Sequence, residues 1–110
     1  MNLRVVPEGR FVRLVLSGGD AIDSVNAAAV KAQALALLDD AADVAVDLSA
    51  IEFIDSAGVG VLVALFKNAR LRGGRARFCG LRPGVRSVLE IIRLDQIFEL
   101  YDDVATAVRP

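Results

Sequence analysis

Histidine is absent from the 110-residue sequence. That removes Ser-His-Asp and Cys-His catalysis, H-E-x-x-H zinc sites and imidazole acid–base chemistry. The single cysteine, Cys79, allows neither an internal disulfide nor a cysteine-rich zinc site. Tryptophan is missing too, and aromatics make up only 5%, so base-stacking platforms are scarce. The longest uncharged apolar stretch, Ala57 to Phe66, contains two glycines. It falls well short of the roughly 18 residues that a membrane-spanning helix needs. The opening residues, MNLRVVPEGR, lack the apolar core of a secretory leader, so a cytoplasmic location with a reduced Cys79 is expected.

What the chain does have is aliphatic side chains. Hydrophobic residues reach 55%, which excludes a disordered chain. The length predicts one domain over residues 1–110, able to bury about two thirds of its unfolded surface without a metal or disulfide. Net charge is −1, but it is unevenly placed. Between Ala32 and Phe66 every charged residue is acidic: Asp39, Asp40, Asp43, Asp47, Glu52 and Asp55. Between Lys67 and Arg86 every one is basic: Lys67, Arg70, Arg72, Arg75, Arg77, Arg82 and Arg86. The basic block reads either as a nucleic-acid footprint or as helix-end charge with solvated loop ends. A pI near 5.3 and the shortage of aromatic neighbours favour helix and loop ends.

Leu3–Val6 and Val12–Leu16 predict two strands joined by Pro7-Glu8-Gly9-Arg10. Asp23-Ser24-Val25-Asn26 supplies cap residues for an alanine-rich helix to about Leu38. Val44–Leu48 is a short apolar run of strand length. A helix runs from Ser56 to about Leu71 and closes at Gly73-Gly74. Ala76–Leu81 returns as a strand, and Pro83 opens a third helix to about Ile92. Ile97–Tyr101 is a strand, and Asp102-Asp103 caps a short terminal helix. Strands alternating with helices predict an α/β fold with right-handed crossovers and a mainly parallel sheet.

The informative stretch is Asp47 to Leu62, where a buried strand, a short loop and a helix start follow one another. Ligands of open α/β sheets sit at this end of the strands. Ser56 is placed to act as the N-cap. Gly58 and Gly60 each cost a helix stability. They imply either a ligand or partner close to the backbone, or tight packing of the helix on its neighbours. The stretch is not a phosphate loop, since no lysine follows Gly60 until Lys67,. Nor is it G-x-S-x-G, because Ile54 stands two before Ser56,. With no histidine to activate it, Ser56 is not a nucleophile, and no enzyme activity is expected. An exposed serine at a helix start suits phosphorylation instead. The helix end tolerates the added charge, although Asp55 opposes it.

The run Asp55-Ser56-Ala57-Gly58-Val59-Gly60, with Val44 to Leu65 around it and Ala69 to Asp103 after it, resembles the STAS domain. Within that family it is similar to the bacterial anti-sigma factor antagonists. The resemblance covers about Val12 to Val108. It implies a single STAS-type domain with a mixed four- or five-stranded sheet and helices mainly on one side. It also implies a binding module that is a kinase substrate, with no cofactor or metal of its own. Ser56 matches the phosphorylated serine. Asp55, Ala57, Gly58 and Gly60 match the surrounding partner-binding signature. A partner-facing acid is also implied near the first helix. Asp23 fits if one extra residue is allowed in Gly18-Gly19-Asp20-Ala21-Ile22-Asp23, and Asp20 is the other candidate. Ser24, Ser49 and Ser87 are further serines open to modification.

The partners implied are an anti-sigma factor with serine kinase activity and a phosphatase acting on phospho-Ser56. Neither membrane nor direct nucleic-acid binding is expected. Unphosphorylated chain would bind the anti-sigma factor and free the sigma factor for transcription. Phosphorylation at Ser56 would end that binding. The alternative is a scaffold or regulatory subunit of a signalling assembly or phospholipid-transport ABC complex, using the same domain without a switch.

Overall fold

The computed structural model describes residues 1–109. The elements, in chain order, are β1 (Asn2–Glu8), β2 (Phe11–Ser17), β3 (Ala21–Ile22), α1 (Ala27–Leu38), β4 (Val44–Asp47) and β5 (Phe53–Ile54). They continue with α2 (Ser56–Leu71), β6 (Ala76–Cys79), α3 (Pro83–Ile91), a 3-10 turn (Leu94–Gln96), β7 (Glu99–Tyr101) and α4 (Val104–Ala107).

The main sheet has five strands in the order β1-β2-β4-β6-β7. β1 is an antiparallel edge on β2, and the other three pairings are parallel. The sheet is therefore mixed, as expected. Leu14, Val46 and Phe78 stand opposite one another across its centre. They face a core built from Val30, Ala34 and Leu38 of α1, Leu62 and Leu65 of α2, and Val85 and Leu89 of α3. The opposite face carries a smaller cluster, in which Ala107 of α4 covers Phe11, Ala45 and Cys79. β4 is thus buried on both sides, which is why Val44-Ala45-Val46 reads as an unbroken apolar run. Helices lie mainly on one side of the sheet, with α4 as the minority on the other.

Two elements were not expected. β3 and β5 are two residues each and pair in parallel as a separate patch. Ala21-Ile22 and Phe53-Ile54 are dipeptides, too short to show any alternation. Helix closure follows the sequence reading: Arg72 is the C-cap of α2 and Gly73 follows at φ +79°, a conformation that glycine adopts at little cost. The basic block contains one clear exception to the solvated reading. Arg77 is only 7% exposed, and it donates to the carbonyls of Ala107 and Arg109 at 2.8 and 2.7 Å. Cys79 lies fully buried beside it, and burial, reinforced by the Asp47 charge, pushes its thiol up to about 12. No helix among the described residues is long and apolar enough to cross a membrane.

Candidate functional site

The β3–β5 pairing decides the geometry of the site. Its register sets Ala21 opposite Phe53 and Ile22 opposite Ile54. The turns that follow the two strands, starting at Asp23 and Asp55, therefore emerge side by side. The Asp20 carbonyl accepts the amides of Glu52 and Phe53 at 2.7 and 3.1 Å, which ties the strand entrances together as well. On the far flank, Arg82 donates to the Ser49 carbonyl at 2.8 Å and pairs with Glu52 at 3.1 Å. The loop carrying Ser56 is thus held from both sides.

Asp55, and not Ser56, is the N-cap of α2. One oxygen of its carboxylate accepts the Gly58 amide at 3.0 Å. The other accepts the Ser24 amide at 3.0 Å. The Gly58 bond chiefly holds its carboxyl below the usual range, with Ser24 adding to the effect against a desolvation cost,. Ser56 follows as the first helical residue and is exposed. Its hydroxyl makes no hydrogen bond among the described residues. The correction to the sequence reading has a simple cause. Aspartate and serine cap equally well, and the earlier of two adjacent candidates has taken the role.

The glycines divide between the two readings. A Cβ at Gly58 would collide with the Ile22 carbonyl oxygen and the Ile54 side chain. The close approach there is internal, α2 against β3. Gly60 is exposed, with nothing within 4 Å of a Cβ. It lies four residues after Ser56 and therefore on the same helix face. Ala57 is half-buried between them.

Asp23 does not cap α1, whose N-cap is Asn26, with no hydrogen bond from its side chain to the first-turn amides. Its carboxylate turns back onto the amides of Val25 and Asn26, at 3.0 and 3.3 Å. Asn26 in turn accepts the Asp23 amide at 3.0 Å and donates to the Ala21 carbonyl at 2.8 Å. Asp20 is exposed at the loop's outer end. Gly58 is buried against β3, and the other candidate residues form one surface, in which Asp23 and Asp55 brace the turns and Ser56 and Gly60 face outward.

Two further residues belong to this surface and were missed. Val25 is 92% exposed and Phe53 is 56% exposed. Each lies within three residues of a carboxylate that braces the site. The one available signal was an apolar residue inside the polar cap Asp23-Ser24-Val25-Asn26.

Lys31 lies on α1, and Lys67 lies eleven residues along α2 from Ser56, about 16 Å away at 1.5 Å per residue. The charged groups nearest Ser56 in sequence, Glu52 and Asp55, are acidic.

The STAS domain family matches residues 4–107 of this chain, taking in the first strand as well as the stretch that carries the resemblance. Among individual proteins, the anti-sigma F factor antagonist of Paenibacillus polymyxa is 30% identical over 64 residues. That match covers 58% of this chain and 55% of the relative, so the chain spans about half of that protein's length. A Bordetella bronchiseptica protein, provisionally assigned as an anti-sigma factor antagonist, is 35% identical over 78 residues, covering 70% of this chain and 67% of the relative. The crystal structure of an anti-sigma factor antagonist from Mycobacterium paratuberculosis superposes with a TM-score of 0.81 at 27% identity, covering 97% of this chain and 90% of the other.

Proposed function

The chain belongs to the STAS domain family, and on that premise we propose that it is an anti-sigma factor antagonist switched by phosphorylation of Ser56. The unphosphorylated form binds an anti-sigma factor that is also a serine kinase, and the sigma factor is released. The kinase transfers phosphate to Ser56, the complex separates, and a phosphatase resets the chain. The chain is substrate and binding module in one domain over residues 1–110, acts in the cytoplasm, and performs no chemistry of its own.

The observation that carries this reading is the division of labour between Asp55 and Ser56. Asp55 takes the cap bond, so the Ser56 hydroxyl is free and exposed at the helix start. A phosphate there adds about −1.5 to −2 charges to a pole already lined by Asp23, Glu52 and Asp55. It also arrives on the surface that exposes Val25 and Phe53, the apolar residues that a partner would cover. Uncompensated charge in a desolvated interface costs several kcal/mol, and about 1.4 kcal/mol is tenfold in affinity. The helix end accepts the anion, so the switch acts on binding and leaves the fold in place.

The test is affinity capture from the native host with wild type, Ser56→Ala and Ser56→Glu as baits. A kinase-fold anti-sigma factor retained by wild type and Ser56→Ala, and lost by Ser56→Glu, supports the switch. If all three baits retain the same scaffold or transporter proteins, the domain is a constitutive docking module.

A further inference from the structure

Seven large apolar side chains are exposed among the described residues. Val25 and Phe53 belong to the Ser56 surface. Leu71, at 87% exposure, and Ile97, at 58%, lie elsewhere. α2 has 16 residues and is about 24 Å long at 1.5 Å per residue, in a molecule measuring 30 × 26 × 24 Å. Ser56 begins that helix and Leu71 ends it, so the two surfaces lie on opposite sides of the protein.

Two adjoining hollows that share Phe66 and Arg70 form a shallow groove on the far surface. One part, about 520 Å³, lies between Phe66 and Arg70 on one bank and Arg75, Ile97 and Glu99 on the other. The next part, about 410 Å³, is lined by Phe66, Lys67, Arg70 and Leu71. Phe66 and Arg70 are common to both, with the guanidinium 5.5 Å from the ring centroid. The groove has two cations with no acidic partner among the described residues, Lys67 and Arg70. Its one acid, Glu99, is already engaged by Arg75 at 3.7 Å and Arg77 at 3.3 Å. Nearby Asp43 is likewise occupied, by Arg10 at 3.7 Å and by the Arg75 amide at 3.2 Å. The groove is therefore both apolar and cationic.

We propose that this groove docks an acidic amphipathic segment of a partner protein. Its apolar side chains would lie against Phe66, Leu71 and Ile97, and its carboxylates on Lys67 and Arg70. Charge complementarity sets the sign of the partner, and concavity sets its form, since a groove receives side chains from a helix or extended segment. Nucleic acid fits less well, because Phe66 is half-buried and faced by Arg70. The site is independent of the Ser56 reading, and both surfaces can be occupied at once.

The experiment is titration of the 15N-labelled chain with a synthetic helix carrying leucines at i, i+3, i+4 and i+7 and glutamates elsewhere. A lysine version, phosphatidylcholine–phosphatidylserine vesicles and a single-stranded oligonucleotide are run in parallel. The acidic helix is expected to shift amides of residues 66–76 and 97–99 and to saturate. Leu71→Asp and Arg70→Glu, both at exposed positions, are expected to weaken it about tenfold. Lys31→Glu, the same charge change on α1, is expected to alter it less than about twofold. The same spectra report whether each variant is folded. No shift with the acidic helix, shifts elsewhere, equal binding by all variants, or capture of vesicles or oligonucleotide in its place would each overturn the proposal.

Discussion

A methyl group at Gly58 has nowhere to go, whereas one at Gly60 projects into open space. Gly58→Ala is expected to destabilise the fold by about 2–3 kcal/mol, because the obstacle is the Ile22 backbone and cannot swing aside. Gly60→Ala is expected to add about 0.4–1 kcal/mol, since the helical position suits alanine. Urea titrations of the pair check both signs. If Gly60 lies in the partner surface, as proposed, its substitution weakens binding in a protein that is otherwise more stable. Asp55 gives a pH test at the same scale. Its carboxyl is held low by the Gly58 amide first and the Ser24 amide after it. The stabilisation is therefore complete above the ordinary carboxylate value of 3.8, and it is lost as pH falls through the lower folded value. The gap in urea midpoint between wild type and Asp55→Asn is expected to be constant above that value and to close on further acidification.

At the scale of elements, α4 shows how much a single side chain can hold. It has four residues, too few to be stable as an isolated helix. Arg77 anchors its end through two carbonyls, with Glu99 at 3.3 Å and the Phe11 and Tyr101 rings 4.8 and 5.6 Å from the guanidinium. Asp103 caps its start by accepting the Thr106 amide at 2.8 Å. Arg77→Met keeps most of the apolar stem and deletes the clasp. It is expected to abolish hydrogen-exchange protection at Ala107 and Val108 while leaving the amides of β4 protected. The terminal helix and its aspartate cap were legible in the sequence, but the clasp was not, since there Arg77 is one more base in a basic run. The elements that could be read were those with a local signal, among them the β1–β2 hairpin, the alanine-rich α1, the apolar β4, the glycine end of α2 and the Pro83 start of α3. β3 and β5 gave none, because their pairing is a tertiary contact between dipeptides. They nevertheless align the site. The sequence could identify Asp55, Ser56, Gly58 and Gly60 as a set. It could not say which of two adjacent cap residues would cap, nor that Val25 and Phe53 would remain in water.

At the scale of the whole molecule, the fold separates a serine-bearing surface from a cationic groove by the length of one helix. The switch reading requires phosphorylation to change binding while the fold persists. Ser56→Glu is accordingly expected to shift stability by no more than about 0.5 kcal/mol, because the added anion sits at a helix start. Thermal melts of Ser56→Glu and wild type check this. The most direct measurement is intact-mass analysis with site mapping of the chain recovered from its own host, beside a Ser56→Ala control. A single phosphate that maps to Ser56 and vanishes in Ser56→Ala is the expected result. A chain that carries no phosphate in any growth condition, or carries it on Ser24, Ser49 or Ser87, would contradict the assignment of Ser56 as the switch.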